Sequence, residues 1–555
     1  MTTGELTTAL LETSVWSDAL VAQSGLPVRD VPVVSVGGGL GSLALAHVLQ
    51  VAGVSAGDLS IVGNGADPAR TYRYLASNSQ IPDHERLRSD AGSTMDNIWG
   101  FPSYAWREAF AAKNLSEKVA PLWQVMTEPL LTDYYTPRAG QVYRSIEREC
   151  GRLSWNSMLQ PGVVRMVRRR HEGGYFVTLT PIQGASDPDT PTQRLVFRCE
   201  HVHLAVGYPG VRFLKDLQEY REKHSDHSRV VNAYEPHDQV YEELKRRPST
   251  VLVRGSGIVA SRILQRLLDD REKNGAQTTV IHLFRNYVDR PQGESATFRR
   301  PGGNGVAYQG FNFPKASWGG QLKEQFERLD GQGRADLIGK LGGTNTPQRA
   351  DWMAQLKRGQ HNGYYQQQIG TVQSVEPGPN QTITTTIKGT NGAEAVLSAN
   401  VVIDATGLEA DITQNRLLAD LLDHGGASRN AYGRLEVTPR FEISGTQSGH
   451  GRMYASGSIT LGGYYAGVDS FLGLQYAALA IADDLATVGA IPAIGSGRSL
   501  AEWWRWVRNR APVARTTRLG SGPQPVAPSR PIPPPPLQPA PGHTVTTPPP
   551  PGGRP

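Results

Sequence analysis

The sequence predicts an α/β protein that carries a proline-rich appendage. Three observations lead there. Short β-rich runs alternate with helical patterns through the first 500 residues. Two glycine-punctuated turns, 218 residues apart, each lead from an apolar strand into an apolar helix. From Pro512 onward, 16 of 44 residues are proline. A chain of 555 residues is also too long for one ordinary core, so several domains are expected.

The first 22 residues contain Glu5, Glu12 and Asp18 and no lysine or arginine, unlike a secretory signal. The first turn follows. Val33-Val34-Ser35-Val36 runs into Gly37-Gly38-Gly39-Leu40-Gly41-Ser42, and a helix is expected over 43–51. Gly37 permits a tight turn, Gly39 lets the backbone approach a pyrophosphate, and the helix start offers unpaired N–H groups to the anion. Ser42 takes the third glycine position. A second strand is expected over 59–62, and Asn64 stands near where an acid would meet a ribose. Glycine-rich turns of this kind also occur with no ligand.

The second turn is Val251-Leu252-Val253-Arg254-Gly255-Ser256-Gly257-Ile258-Val259-Ala260, a full GxGxxA pattern. A helix over 261–268 and a strand over 278–284 follow, and the strand ends in Arg285. A cation at that strand end, with Arg254 and Arg290 as helpers, favours the 2′-phosphate of NADP over the free hydroxyl of NAD. The bland alternative is a solvated strand-end arginine.

Between and after these turns, two further strands end in small-x-Gly turns: Ala205-Val206-Gly207 and Ala405-Thr406-Gly407. Each follows hairpin-like sequence, over 163–179 and 370–397. Late in the chain, Met453-Tyr454-Ala455-Ser456-Gly457-Ser458 reads as a strand entering a glycine turn, with a helix over 470–485.

This order of motifs resembles the flavoproteins with two dinucleotide-binding domains, and within them the NADPH-dependent flavin monooxygenases, including amine N-hydroxylases and Baeyer–Villiger enzymes, over residues 30–490. The resemblance implies two Rossmann-like domains: an FAD domain in two parts (28–240 and 411–492), split by an NAD(P) domain (247–410) that carries an insertion over 288–365. It implies FAD on Gly37, Gly39, Gly41 and Ser42, with Val164 beside the adenine, Gly457 and Ser458 at the ribityl-phosphate, and Leu472 to Leu474 at the pyrimidine edge. It also implies NADPH on Gly255, Gly257, Ala260 and Arg285, with Gly207 and Gly407 in the turns between the halves. The polar, aromatic stretch 77–107 falls near the isoalloxazine, making Asn97 and Trp99 candidates; an aromatic packing loop is the alternative. The sequence departs from relatives at Ser458 and Gly63, which replace acids, and at Leu408, which replaces a tyrosine. The FxGxxxHxxx signature is not found.

The activity so implied is FAD- and NADPH-dependent monooxygenation of a small organic substrate by molecular oxygen, through a flavin C4a-peroxide. Two alternatives stay open: an NAD(P)H dehydrogenase that passes electrons to a quinone or protein acceptor, and a non-catalytic nucleotide-binding interaction protein. No residue is singled out as catalytic. With only Cys150 and Cys199, a CxxC redox pair and a cysteine metal cage are ruled out, and no HxxxH or HExxH spacing points to a metal. His201 and His203 read as structural. The net charge of +6 belongs to the last 55 residues, which hold seven arginines and one acid; the first 500 hold 50 basic and 50 acidic residues. Nucleic-acid binding by the body therefore has no support. No apolar run is long enough for an integral membrane segment, and a cytoplasmic location is expected. The 512–555 tail is expected to be disordered, with a PxxP motif at Pro525 to Pro528 as a possible partner site. Just before it, Trp503, Trp504 and Trp506 are expected to dock on the body.

Overall fold

The computed structural model describes residues 6–87, 92–127, 131, 135–182, 193–285, 321–341 and 350–515. Five strands form a wholly parallel sheet in the order Met453–Ala455, His201–Leu204, Val33–Gly37, Leu59–Gly63 and Leu159–Pro161. The central strand, Val33–Gly37, is a run of valines covered on both faces, which is where β-branched residues belong. Helix Leu40–Ala52 leaves this strand with every residue buried. Helix Phe471–Thr487, apolar over most of its length, packs against it. The first glycine turn is therefore held between two packed helices and the middle of a sheet.

A second sheet takes Val15–Trp16, Val163–Arg170, Tyr175–Thr180, Leu195–Cys199 and Val28–Asp30 in that order. Its centre is antiparallel, and the two edge strands attach in parallel. Packing here begins well before residue 28: Leu10 and Trp16 are fully buried, and the Trp16 ring lies 6.0 Å from that of Phe176. Arg168, itself buried, forms a two-pronged pair with Asp420 on helix Arg416–His424 and joins this sheet to the late part of the chain.

The third sheet has seven strands: Val230–Asn232, Val401–Asp404, Ser249–Arg254, Thr278–Phe284, Tyr365–Pro377, Ile383–Gly389 and Glu394–Ala399. The first five are parallel, and the last two extend the sheet antiparallel. The sheet starts at Val230, ahead of residue 247. Helix Ile258–Asn274 leaves the second glycine turn and ends at Gly275 in a left-handed cap. Within 288–365, the described parts include helices Gln321–Arg328, Gly331–Leu341 and Ala350–His361. Residues 286–320, including Arg290, and the tail from 516 with its PxxP motif lie outside the described residues.

Helix Ser496–Val507 returns to the first sheet. Trp506 is buried, its ring 5.9 Å from Trp99 and 6.0 Å from Phe101. Arg498 donates to the carbonyls of Gln50 and Val51, and the Arg515 N–H donates to Gly53 at 2.9 Å. The packed body thus runs through Arg515, past the expected start of the tail at 512. Among the described residues, no helix is long and apolar enough to cross a membrane.

Candidate functional site: a cavity shared by two glycine turns

Both turns answer one steric demand. Gly37 has φ +136° and Gly255 φ +129°. A Cβ on Gly37 would fall on the carbonyl oxygen of Ala205, and one on Gly255 would fall on that of Ala405. Each small-x-Gly turn therefore presses its alanine carbonyl against the first glycine of its partner turn, which is why these motifs come in pairs. The helices that follow start at Gly39 and Gly257, neither of which has a side chain to cap them, so their first N–H groups face outward.

The glycine at position 63 also has a cause. A Cβ on Gly63 would lie 2.5 Å from Gly38 Cα, and one on Gly38 would lie 2.7 Å from Gly63 Cα. An acid at that strand end is sterically excluded by the extra glycine of the first turn. Asn64, Asp67 and Arg70 stand beyond it instead, with Arg70 donating to the Asn64 carbonyl at 3.2 Å.

The two turns open into one cavity of about 1580 Å³. Gly37, Gly39, Gly41, Asn64, Gly207, Gly255, Gly257, Arg285, Gly407, Gly457 and Ser458 all line it. The other candidates are placed elsewhere. Ser42 and Ala260 are buried beneath their turns, and Val164 lies in the core of the second sheet. Leu472 is half-buried, while Leu474 on the same helix reaches the cavity. Asn97 is wholly buried and organises its own loop: its amide donates to Thr94 Oγ1 at 2.7 Å and to the Phe101 carbonyl, and its oxygen accepts from Trp99 and Phe101 N–H. The Trp99 indole donates to Ser499 Oγ at 3.0 Å and packs on Trp506. The aromatic packing loop, the alternative for this stretch, describes these two residues.

Buried polar chains back each turn. Behind the first, His203 Nδ1 lies 2.9 Å from Ser35 Oγ, Ser35 Oγ lies 2.9 Å from Ser42 Oγ, and His203 Nε2 lies 2.9 Å from Ser456 Oγ on the cavity wall. Burial pulls the His203 pKa down to about 3, so the ring is neutral and relays hydroxyl bonds. Behind the second, His282 Nε2 meets the Gly255 carbonyl at 2.6 Å and Nδ1 meets Tyr365 Oη at 2.8 Å. Burial takes its pKa to about 4, against the opposing pull of that carbonyl. Arg254 meets a carboxylate. It lines the cavity, but it is buried and already donates to Asp216 Oδ2 at 2.6 Å. Arg285 is exposed and has no hydrogen bond or ion pair among the described residues.

Solved structures supply the comparison. An ornithine hydroxylase from Pseudomonas aeruginosa superposes with a TM-score of 0.55 at 15% identity, over 83% of this chain and 100% of its own. An ornithine N-hydroxylase from Kutzneria sp. 744, solved with reduced FAD, NADP+ and L-ornithine, gives 0.56 at 13%, over 83% and 99%. A cadaverine monooxygenase from Erwinia amylovora, bound to FAD, gives 0.55 at 13%, over 90% and 100%. The fold is that of flavin-dependent monooxygenases. No family model and no curated sequence matches the chain.

The flavin-monooxygenase fold sets a test: whether these residues fit a flavin nucleotide. They do. Ser458 Oγ is buried without a hydrogen-bond partner among the described residues, although its residue lines the cavity. A Cβ at Gly39 would find nothing closer than Pro68 O at 3.9 Å, so that flank of the turn is open. At the second turn, Gly257 is open in the same way. The sequence reading missed Asp67, Asp216, Tyr208, Tyr234 and Asp469, all of which line the cavity. Of these, only Tyr208 carried a local signal, as the residue directly after Gly207.

Proposed function

We propose that this chain is an FAD- and NADPH-dependent monooxygenase of a small organic molecule. One observation carries the reading: two glycine turns, each preceding an uncapped helix start, open into a single cavity. Gly37, Gly39 and the start of helix Leu40–Ala52 would hold the FAD pyrophosphate, and Ser456 and Ser458 the ribityl-phosphate. Gly255, Gly257 and the start of helix Ile258–Asn274 would hold the NADPH pyrophosphate, and Arg285 its 2′-phosphate. A bound flavin supplies hydride acceptance and, once reduced, the activation of dioxygen. The chain contributes the orientation of the two nucleotides toward each other, exclusion of water, and neutral hydroxyl donors along the wall. A phosphate oxygen only accepts, so the Ser456 hydroxyl donates to it when His203 Nε2–H donates to Ser456 Oγ.

Anaerobic reduction by NADPH followed by oxygen tests the reading. A yellow protein whose flavin bleaches with NADPH and returns with oxygen, transferring one oxygen atom to an organic acceptor, is the expected outcome. Return that is fast only with a quinone would make it a dehydrogenase. A colourless protein that does not take up FAD would overturn the enzyme altogether.

A further inference from the structure

A helix on a protein surface ordinarily turns its apolar stripe inward and its polar face to water. Helix Leu115–Thr127 does the reverse along one side. Leu115, Val119, Trp123 and Met126 follow at intervals of four, four and three residues, which sets them on one stripe. All four are exposed, Leu115 by 76% and Met126 by 80%. The opposite side makes the contact with the body: Pro121 is buried, and Val125 packs on the main core. Helix Ser103–Ala111, which packs beside it, exposes Trp106 and Phe110, one turn apart. Helix Ser496–Val507 exposes Leu500, Trp504 and Val507 while burying Glu502 and Trp506. Ring contacts join these last two helices. Phe110 lies 4.9 Å from Trp106, Trp106 5.8 Å from Phe101, Phe101 6.5 Å from Trp503, and Trp503 5.0 Å from Trp504. Three helices thus hold apolar stripes out to water, two of them joined by one aromatic seam.

The free charges beside these stripes are nearly all of one sign. Lys113, Lys118, Arg508 and Arg510 are exposed and make no ion pair among the described residues. Arg508 lies 5.8 Å from the Trp504 ring. Of the acids on the three helices, Glu108 is taken by Arg86, and Glu502 is buried against Arg498 and Arg505. Only Glu117, which accepts from Asn114, has no cation beside it among the described residues. From Ala511 to its end the sequence adds four arginines and no acid. A second copy of the chain matches this face poorly, because a twofold contact would set the same cations against themselves. A lipid surface matches both parts of it. Aliphatic side chains enter the acyl boundary, indoles settle at the headgroups, and lysine and arginine meet the phosphates. We propose that this face docks on an anionic phospholipid surface. None of the three helices is long and apolar enough to span a bilayer, so the contact is peripheral. It is independent of the chemistry proposed for the cavity.

Co-sedimentation of the full chain with lipid vesicles tests the assignment. Binding should be about tenfold tighter to phosphatidylcholine vesicles carrying about 30% phosphatidylglycerol than to phosphatidylcholine alone. High salt should remove most of that preference. Phe110→Glu combined with Trp123→Glu, both at exposed positions, should weaken binding about tenfold and leave the melting temperature unchanged. Lys113→Glu combined with Lys118→Glu should reduce the preference for the anionic lipid. Trp123→Phe keeps the stripe and should bind as wild type, but part of the quenching of indole emission by brominated acyl chains should be lost. Failure to bind either vesicle would overturn the proposal, as would equal binding to both. So would full binding by the Phe110→Glu, Trp123→Glu protein, or loss of all binding on truncation after Arg515. Dimerisation in sedimentation velocity that the same two substitutions abolish would also overturn it, by giving the face to a second copy.

Discussion

Gly37 leans on the Ala205 carbonyl and Gly255 on the Ala405 carbonyl, with backbone angles within a few degrees of each other. Beyond that shared joint the two halves part. The first turn has a third glycine, Gly38, that forces Gly63 at the neighbouring strand end; the second has Ser256 there and ends its neighbouring strand in Arg285. Ser42 and Ala260 occupy the same place in their helices, both buried. The Ser42 hydroxyl is tolerated in the first because Ser35, itself bonded to His203, bonds it, whereas the second needs only a methyl group. The difference shows that such a turn is constrained at its first glycine by backbone contact and at its third only by volume and polarity.

The sharpest way to break the comparison is to charge each turn separately. Gly39→Asp puts a carboxylate on the open flank of the first turn and should abolish flavin retention while leaving the urea midpoint close to wild type. Gly257→Asp should spare flavin and abolish reduction by NADPH. If either variant loses both, the two turns do not serve two nucleotides. Gly37→Ala and Gly255→Ala attack the shared joint instead. Each combines positive-φ strain with a clash against a fixed carbonyl, and each should cost on the order of 3 kcal/mol of stability. A cost under about 1 kcal/mol in either would mean that the carbonyl contact yields easily.

Arg285 sharpens the asymmetry of the strand ends. Loss of a charge-assisted phosphate contact costs about 1.5–3 kcal/mol, roughly 10- to 150-fold in affinity. Arg285→Ala should raise the NADPH KM by that factor and leave NADH kinetics unchanged, and since Arg254 is held by Asp216 it should offer little rescue. Equal damage to both cofactors would remove the 2′-phosphate from this strand end. Acid should act on both halves alike. His203 in the first sheet and His282 in the third have pKa values lowered to about 3 and about 4, below the 6.5 of an unfolded histidine. Unfolding therefore takes up protons below pH 6.5, so stability is whole above that pH and falls as pH drops toward 4. Urea midpoints at pH 7, 6 and 5 should decline in that order, and a flat profile would contradict buried neutral rings. The smallest effect belongs to the chain end. Truncation after Ala511 removes the Val513 and Arg515 contacts and should cost about 1 kcal/mol, whereas truncation after Arg515 should cost nothing measurable.

What the sequence made legible follows from what each feature depends on. The turns at Gly37 and Gly255, the helices after them and the strand ending at Phe284 were readable because glycine placement and apolar period are local. Docking of the last tryptophans was readable as an amphipathic need, and Trp506 meets it. The place of Trp16 was not legible, since a two-residue edge strand has no period to detect. Nor were the Asp216–Arg254 and Tyr208–Asp469 pairs, whose members are 38 and 261 positions apart and meet only once the sheets are assembled. Asn97 was misplaced for a related reason: a polar amide in a loop satisfies its own backbone as readily as it faces a ligand.

The first sheet has a consequence in time. Its edge strand Met453–Ala455 pairs with His201–Leu204, and the third sheet, from Val230 to Asp404, lies wholly in the interval between them. At about 5–20 residues per second, a ribosome needs roughly 12–50 s to make the intervening stretch of about 250 residues. During that interval the third sheet has all its strands, while the first lacks an edge and the two helices, Phe471–Thr487 and Ser496–Val507, that cover Leu40–Ala52. The second glycine turn can thus be complete on a nascent chain whose first turn is still waiting, and under the proposed function a half-made chain would take up its nicotinamide nucleotide before it could retain a flavin.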